Sequence, residues 1–232
     1  MGSSAISFEQ VSHVYRGRQG LAFEALRSVT FDVPVGGSTA IWGRSGSGKS
    51  TLLNLVAGLD RATSGTVRVA GEELGALSET ALTQWRGRNV GIVFQFFQLL
   101  PTLTVRENLL LPMEFVNAVP KSERHDRVDQ LLDVVQIRDQ GDKLPAHLSG
   151  GQQQRAAVAR ALVNQPEIVI ADEPTGNLDA SSAQAVLELF GALRAQGVTL
   201  VVVTHDEQVA ARADRILELR DGQLVDMRES TS

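Results

Sequence analysis

The chain has 232 residues, a hydrophobic fraction of 43% and a formal net charge of −5, with no cysteine. That length supports a sizeable core, and the missing thiols exclude a disulfide framework and a thiolate metal site. The acidic balance, without a basic tract, argues against nucleic acid as the main ligand.

The first residues, MGSSAISFEQ, lack the basic start and apolar run of a signal peptide. No apolar run approaches the ~20 residues that span a bilayer, so a membrane role is expected to come through a partner. Ile6 to Tyr15 reads as a strand and Leu26 to Val33 as a second, joined across an RGRQG turn. These strands predict a small antiparallel sheet. Tyr15 either stacks on a purine base or packs at a strand end with its hydroxyl in water.

Ser38 to Trp42, STAIW, reads as a buried strand, with Trp42 in the core. It feeds GRSGSGKST, Gly43 to Thr51, which fits G-x-x-x-x-G-K-[ST] through Gly43, Gly48, Lys49 and Ser50. Arg44, Ser45, Gly46, Ser47 and Thr51 complete the loop. Its glycines let successive N–H groups converge on a phosphate chain, and the apolar stretch Thr51 to Leu59 supplies a helix whose N-terminus favours the same anion. Lys49 can reach the outer phosphates, and the Ser50 hydroxyl can ligate Mg²⁺. A plain turn would not need a lysine there, and the chain has only three.

Residues 65–71 read as a strand, and Ser78 as the N-cap of a helix to about Trp85. Val90 to Gln95 is a buried-strand candidate. It runs into FFQLLPTLTVRENLLLP, where Phe96, Phe97, Leu99 and Leu100 crowd a loop. Such a cluster is either core or a docking patch, and the reading leans to docking. Thr104 and Glu107 form a capping-box pattern. Ser122 to Ile137 is an amphipathic helix with Val128, Leu131, Leu132 and Val135 on one face.

Ser149 and Gln152 make a second capping box that encloses Gly150 and Gly151, ahead of a buried helix to about Val163. It is a second helix N-terminus able to hold an anion, which suggests a nucleotide shared between two chains. Ile168 to Ile170 form a strand ending in Asp172 and Glu173. One acid can hold Mg²⁺ and the other can orient or deprotonate water. Asp179 reads as the N-cap of a helix to about Gln196. Residues 197–206, GVTLVVVTHD, contain a buried strand ending at His205, the third strand end (after those at Gln95 and Asp172) able to present a polar group to a phosphate. A hairpin turns at Asp221-Gly222, and the closing RESTS is expected to fray.

Together these motifs resemble the nucleotide-binding domain of ATP-binding-cassette (ABC) proteins over Ile6 to about Met227. The resemblance implies an α/β fold. Its parts are a RecA-like P-loop NTPase core with a mainly parallel sheet, a small antiparallel β-subdomain and an inserted helical subdomain. All lie in one domain over 1–232, with core and β-subdomain at about 5–95 and 164–227 and the helical part at about 96–163. It implies ATP and Mg²⁺ as cofactors. Gly43 to Thr51 would be the Walker A loop, Gln95 the Q-loop, and LSGGQ, Leu148 to Gln152, the signature. Asp172 and Glu173 would belong to Walker B, with Glu173 as catalytic base. Asn177 to Asp179 would be the D-loop, His205 the switch histidine and Tyr15 the adenine-stacking aromatic. Mg²⁺ would sit on Ser50, Gln95 and Asp172. Ser149, Gly150, Gly151, Gln152 and Asp179 would meet the ATP of the opposite subunit in a head-to-tail homodimer.

A separate transmembrane permease would dock near Gln95–Pro112, holding the chain at the cytoplasmic face of the membrane. DEPTGNLD, LLPTLTVRENLLLP and LSGGQQQR resemble the lipoprotein-release and macrolide-export branch, although Arg44 stands where that branch usually has proline. A soluble ABC ATPase of repair or translation is the alternative. Repair types insert a long coiled coil between the Q-loop and the signature, and Gln95 and Leu148 are too close for one. Translation types usually carry two cassettes in one chain. A GTPase would need an N-K-x-D guanine reader, which is absent from this sequence.

Overall fold

A computed structural model describes residues 4–17 and 21–229. Residues 18–20 of the RGRQG turn and the last three of the expected fraying tail lie outside the described residues. β1 (Ser4–Arg16) and β2 (Ala22–Pro34) pair antiparallel, with Phe8 opposite Phe31. Those two rings stack with centroids 4.7 Å apart. β4 (Ser64–Val69) and β5 (Glu72–Glu73) complete a four-stranded sheet in the order β2-β1-β4-β5. Its inward phase, with Ile6, Phe8, Val29, Phe31, Val33, Val67 and Val69 buried, faces one core.

The second sheet joins β3 (Ser38–Trp42), β6 (Val90–Val93), β7 (Ile168–Asp172), β8 (Thr199–Thr204), β9 (Arg215–Arg220) and β10 (Gln223–Glu229). Its order is β10-β9-β3-β8-β7-β6, parallel throughout except for β10 against β9. β8 is buried at every position, which is why its apolar run does not alternate. Parallel pairing gathers the carboxyl ends of β3, β6, β7 and β8 at one edge, where the sequence places Gly43, Gln95, Glu173 and His205.

Helix α1 (Lys49–Val56) follows β3 directly. α2 (Glu79–Asn89) is capped by the Ser78 side chain accepting from the Ala81 N–H. α3 (Val105–Val116), α4 (Arg124–Val134) and α5 (Gly150–Leu162) come between β6 and β7. They share an apolar cluster in which Leu109, Met113, Val128 and Leu132 are fully buried. Both expected capping boxes, Thr104 with Glu107 and Ser149 with Gln152, are formed reciprocally. α6 (Ala180–Ala195) and the short α7 (Glu207–Ala210) complete the α-helices among the described residues.

Several bounds differ from the sequence reading. The helix after the phosphate loop begins two residues earlier and stops at Val56, because Gly58 turns left-handed at φ 61°. The strand expected to reach Gln95 stops at Val93. Residues Phe97 and Gln98, at φ 58° and 50°, turn the chain there. The helix expected from Ser122 starts at Arg124 after a 3-10 turn. α3 runs through Pro112 to Val116 and closes on left-handed Asn117.

Candidate active site

The phosphate loop leaves β3 at Trp42 and enters α1 at Lys49. Gly43 has a packing reason to be glycine: a Cβ there would lie 2.2 Å from the carbonyl oxygen of Leu219. Gly48 takes φ 106°, and a Cβ there would also meet the Ala25 carbonyl at 2.6 Å. The main-chain N–H groups of Ser45, Gly46 and Gly48 make no hydrogen bond among the described residues. The first N–H groups of α1 have no helical acceptor either, so the loop presents converging donors. The Lys49 ammonium donates to the carbonyls of Gly43 at 2.7 Å and Arg44 at 3.0 Å. Burial lowers its pKa, and the nearby carboxylates of Glu173 and Asp172 oppose that shift.

A cavity of about 690 Å³ opens over this loop. Phe23, Ala25, Trp42, Gly43, Arg44, Ser45, Gly46, Gly48, Lys49, Ser50 and Thr51 line one side, and Gln95, Asp172, Glu173 and His205 the other. Asp172 ends β7, and its carboxylate makes no hydrogen bond among the described residues. Burial raises its pKa, the Glu173 charge raises it further, and Lys49 counteracts both.

Glu173 sits at φ 44°, a strained conformation for a non-glycine residue, while its N–H donates to the Val203 carbonyl at 2.8 Å. Oε1 accepts from the His205 N–H at 2.9 Å and lies 2.6 Å from His205 Nδ1. Oε2 accepts from the Thr204 hydroxyl at 3.1 Å. The residue is thus fixed at both ends by the strand end beside it. Asn177 donates to the Gln95 carbonyl at 3.0 Å, which ties the loop after β7 to the one after β6.

The other expected residues are placed elsewhere. Ser149, Gly150, Gly151, Gln152 and Asp179 do not line the cavity. Asp179 caps α6 and accepts from the hydroxyls of Ser181 at 2.6 Å and Ser182 at 2.7 Å. These bonds hold its carboxyl far below the usual carboxylate range. The Ser47 side chain is buried on the opposite side of the loop, beside Glu218 and Arg220. Tyr15 flanks the cavity without lining it. Its hydroxyl is 3.3 Å from that of Thr51, and its ring meets His13 edge-on at 4.4 Å.

Sequence reading missed Phe23 and the cavity-facing side of Trp42. Phe23 lies before the expected start of its strand, yet it is exposed, lines the cavity and pairs opposite Tyr15. Trp42, expected in the core, packs half-buried against the Ala40, Ala210 and Ala213 cluster and also walls the cavity, where its indole N–H donates to the His205 carbonyl at 3.2 Å. No local pattern signals either placement, because each depends on which strands become neighbours.

A phosphate loop between a parallel strand and a helix, facing two acids and a histidine on adjacent strand ends, defines a P-loop nucleoside triphosphatase. A family model described as ABC transporter matches residues 26–176, and the chain belongs to that family. It is an ATP-binding subunit and an ATPase.

Among its relatives, the "uncharacterized ABC transporter ATP-binding protein YknY" of Bacillus subtilis is 44% identical, covering 88% of each chain. The macrolide export ATP-binding/permease protein MacB of Shigella flexneri is 45% identical over 87% of this chain, which spans 31% of that relative's length. Of solved structures, the ATP-binding cassette MJ0796, described as dimeric and bound to ADP and Pi, superposes with a TM-score of 0.89 at 37% identity, covering 98% of this chain and 99% of that one. CbiO1 of Clostridium perfringens, part of the CbiONQ transporter complex, gives a TM-score of 0.86 at 28% identity, covering 98% of this chain and 89% of that one.

Proposed function

We propose that two copies of this chain close head to tail on two ATP molecules and so drive a separate transmembrane permease of the lipoprotein-release and macrolide-export branch. One observation carries the reading. The Ser149–Gln152 helix start, where the capping box leaves the N–H groups of Gly150 and Gly151 without an acceptor among the described residues, stands outside the cavity that holds Lys49, Asp172, Glu173 and His205. A γ-phosphate bound at Lys49 therefore completes its donor shell only when a second chain supplies Ser149, Gly150, Gly151 and Gln152, with Asp179 beside them. ATP favours the closed pair because ADP lacks the phosphate that bridges it. The dimeric MJ0796 structures support this arrangement.

Within each half-site, the N–H groups of Ser45, Gly46 and Gly48 and the first turn of α1 hold the phosphates. Lys49 exchanges its carbonyl partners for them. Glu173 acts as general base on the attacking water, and His205 holds Glu173 and the phosphate in register. Tyr15 and Phe23, opposite each other on adjacent strands, are the base platforms. Mg²⁺ fits Ser50, Gln95 and Asp172. The donors are hard oxygens, and Asp172 is a carboxylate without a hydrogen bond. When bound, the ion neutralises phosphate charge.

The core and β-subdomain occupy about 5–95 and 164–227, and the helical subdomain about 96–163. The permease docks at a groove of about 540 Å³ between α2, β6, α3 and α5, where Arg86, Phe94, Gln98, Pro112 and Phe115 stand. That groove extends the segment Gln95–Pro112, and Phe96 and Leu100 are exposed beside it. No helix among the described residues is long and apolar enough to cross a membrane. Docking then holds the chain at the cytoplasmic face.

The test is the mass in solution of the Glu173→Gln variant. With ATP and Mg²⁺ it runs as a dimer on size exclusion with light scattering, and with ADP as a monomer. A monomer under both conditions rejects the shared-site mechanism.

A further inference from the structure

We infer that Trp42 is a positioning residue for hydrolysis: its indole N–H pins the backbone of His205, so that the imidazole keeps its reach to Glu173 and the phosphate. The inference rests on the reading of His205 as the switch residue. β3 and β8 pair in parallel with Trp42 opposite Thr204, so residue 205 lies one step beyond the paired ladder. Its carbonyl would be free to turn, but Trp42 Nε1 holds it at 3.2 Å. Its N–H is held from the other side by Glu173 Oε1 at 2.9 Å. Asp206 then caps α7 through the Gln208 N–H at 2.8 Å. The main chain at 205 is therefore held through both its N–H and its carbonyl, while the ring is 65% exposed and rests on Glu173.

Trp42 is suited to the task by position. It adjoins Gly43 in the chain and walls the cavity, so the strand entering the phosphate loop grips the strand end bearing the histidine. The indole N–H is not a group this protein always satisfies. The chain's other tryptophan, Trp85, leaves its Nε1 buried without a partner. An aliphatic side chain at position 42 would fill space but could not hold the carbonyl. Phenylalanine keeps most of the ring volume and deletes only the donor.

Steady-state ATP hydrolysis by Trp42→Phe, His205→Ala and the double variant tests the assignment, with equilibrium ATP binding measured alongside. Trp42→Phe is expected to lower kcat by about three- to tenfold, the scale of one hydrogen bond, with KM for ATP unchanged. In the His205→Ala background the same change should cost nothing further, because its effect passes through His205. Multiplied losses, an unchanged kcat or a rise in KM alone would overturn the assignment. Normal turnover in His205→Ala alone would instead reject the switch reading. Should Trp42→Phe fold poorly, Trp42→His supplies a second measurement: it keeps a ring N–H donor and should hold kcat nearer the parent than Trp42→Ala does. Equal losses in Trp42→His and Trp42→Ala would overturn the positioning role.

Discussion

The carboxylate of Glu173 and the imidazole of His205 are in direct contact, with Oε1 2.6 Å from Nδ1. Glu173 is 13% exposed in its side chain and left-handed in its backbone, so it is set in one direction by its neighbours. Neither residue holds the phosphates through the loop. Glu173→Gln is therefore expected to bind ATP as the parent does while hydrolysing it about 10²- to 10⁴-fold more slowly. Phosphate release beside equilibrium ATP binding checks this. A parallel loss of binding would place Glu173 in the nucleotide cradle instead.

Arg160 of α5 donates to the main-chain carbonyls of Phe97, at 2.9 Å, and Gln98. Those are the two left-handed residues that turn the chain after β6. Arg160→Ala leaves both carbonyls without their donor and is expected to cost about 2–3 kcal/mol in urea unfolding, as loss of a charged hydrogen-bonding group does. Arg160→Lys, without the forked guanidinium, should recover only part of this.

Phe96 and Leu100 point outward, whereas Leu99 joins the helical core and Phe97 is partly buried near Gly150. Phe96→Glu with Leu100→Glu should leave basal hydrolysis by the purified chain within about twofold, since surface changes rarely disturb folding. The same pair should abolish stimulation by the reconstituted permease. Phe97→Glu, by contrast, should lower stability.

The phosphate loop, both capping boxes and the acids at the end of β7 were legible because each is spelled in contiguous residues. Capping depends on a spacing of three, and phosphate binding on a glycine-rich run, so local order suffices. The cavity wall was not legible. Trp42 meets His205 across 163 positions, and Arg160 meets Phe97 across 63. Those contacts come from strand order and helix placement, which no local spacing encodes. The crowd of apolar residues after Gln95 looked uniform in sequence and divides in space.

The second glycine of the signature has a packing role within its own chain. A Cβ on Gly151 would lie 2.5 Å from Ser182 Oγ and 2.8 Å from Ser182 Cβ, whereas one on Gly150 meets only ordinary contacts. Gly151→Ala is expected to cost about 1–3 kcal/mol by overpacking. Adding Ser182→Gly should restore most of it. Thermal or urea unfolding of the four members of that cycle measures the coupling.

Asp179 gives the clearest dependence on pH. Hydrogen bonds from Ser181 and Ser182 depress its folded pKa, so its cap contributes fully above the ordinary carboxylate value. The contribution is lost as pH falls through the folded value. The urea midpoint of Asp179→Ala should therefore lie below that of the parent by a constant gap between about pH 7 and 5. The gap should narrow below about pH 4. A gap that widened on acidification would contradict the capping role.

The hairpin of β9 and β10 has a part in assembly as well as in shape. The Gly222 N–H donates to the Ser47 carbonyl at 3.0 Å, Leu219 packs against Gly43, and β3 lies between β8 and β9. The phosphate loop is thus made early and floored late. At ribosomal speeds of about 5–20 residues per second, the floor follows the loop by roughly ten to thirty seconds. During that interval the nascent chain carries Lys49 without the strands that shape its loop. The complete loop, with the Gly222 N–H on the Ser47 carbonyl, is therefore available to ATP only once synthesis has passed Gly222.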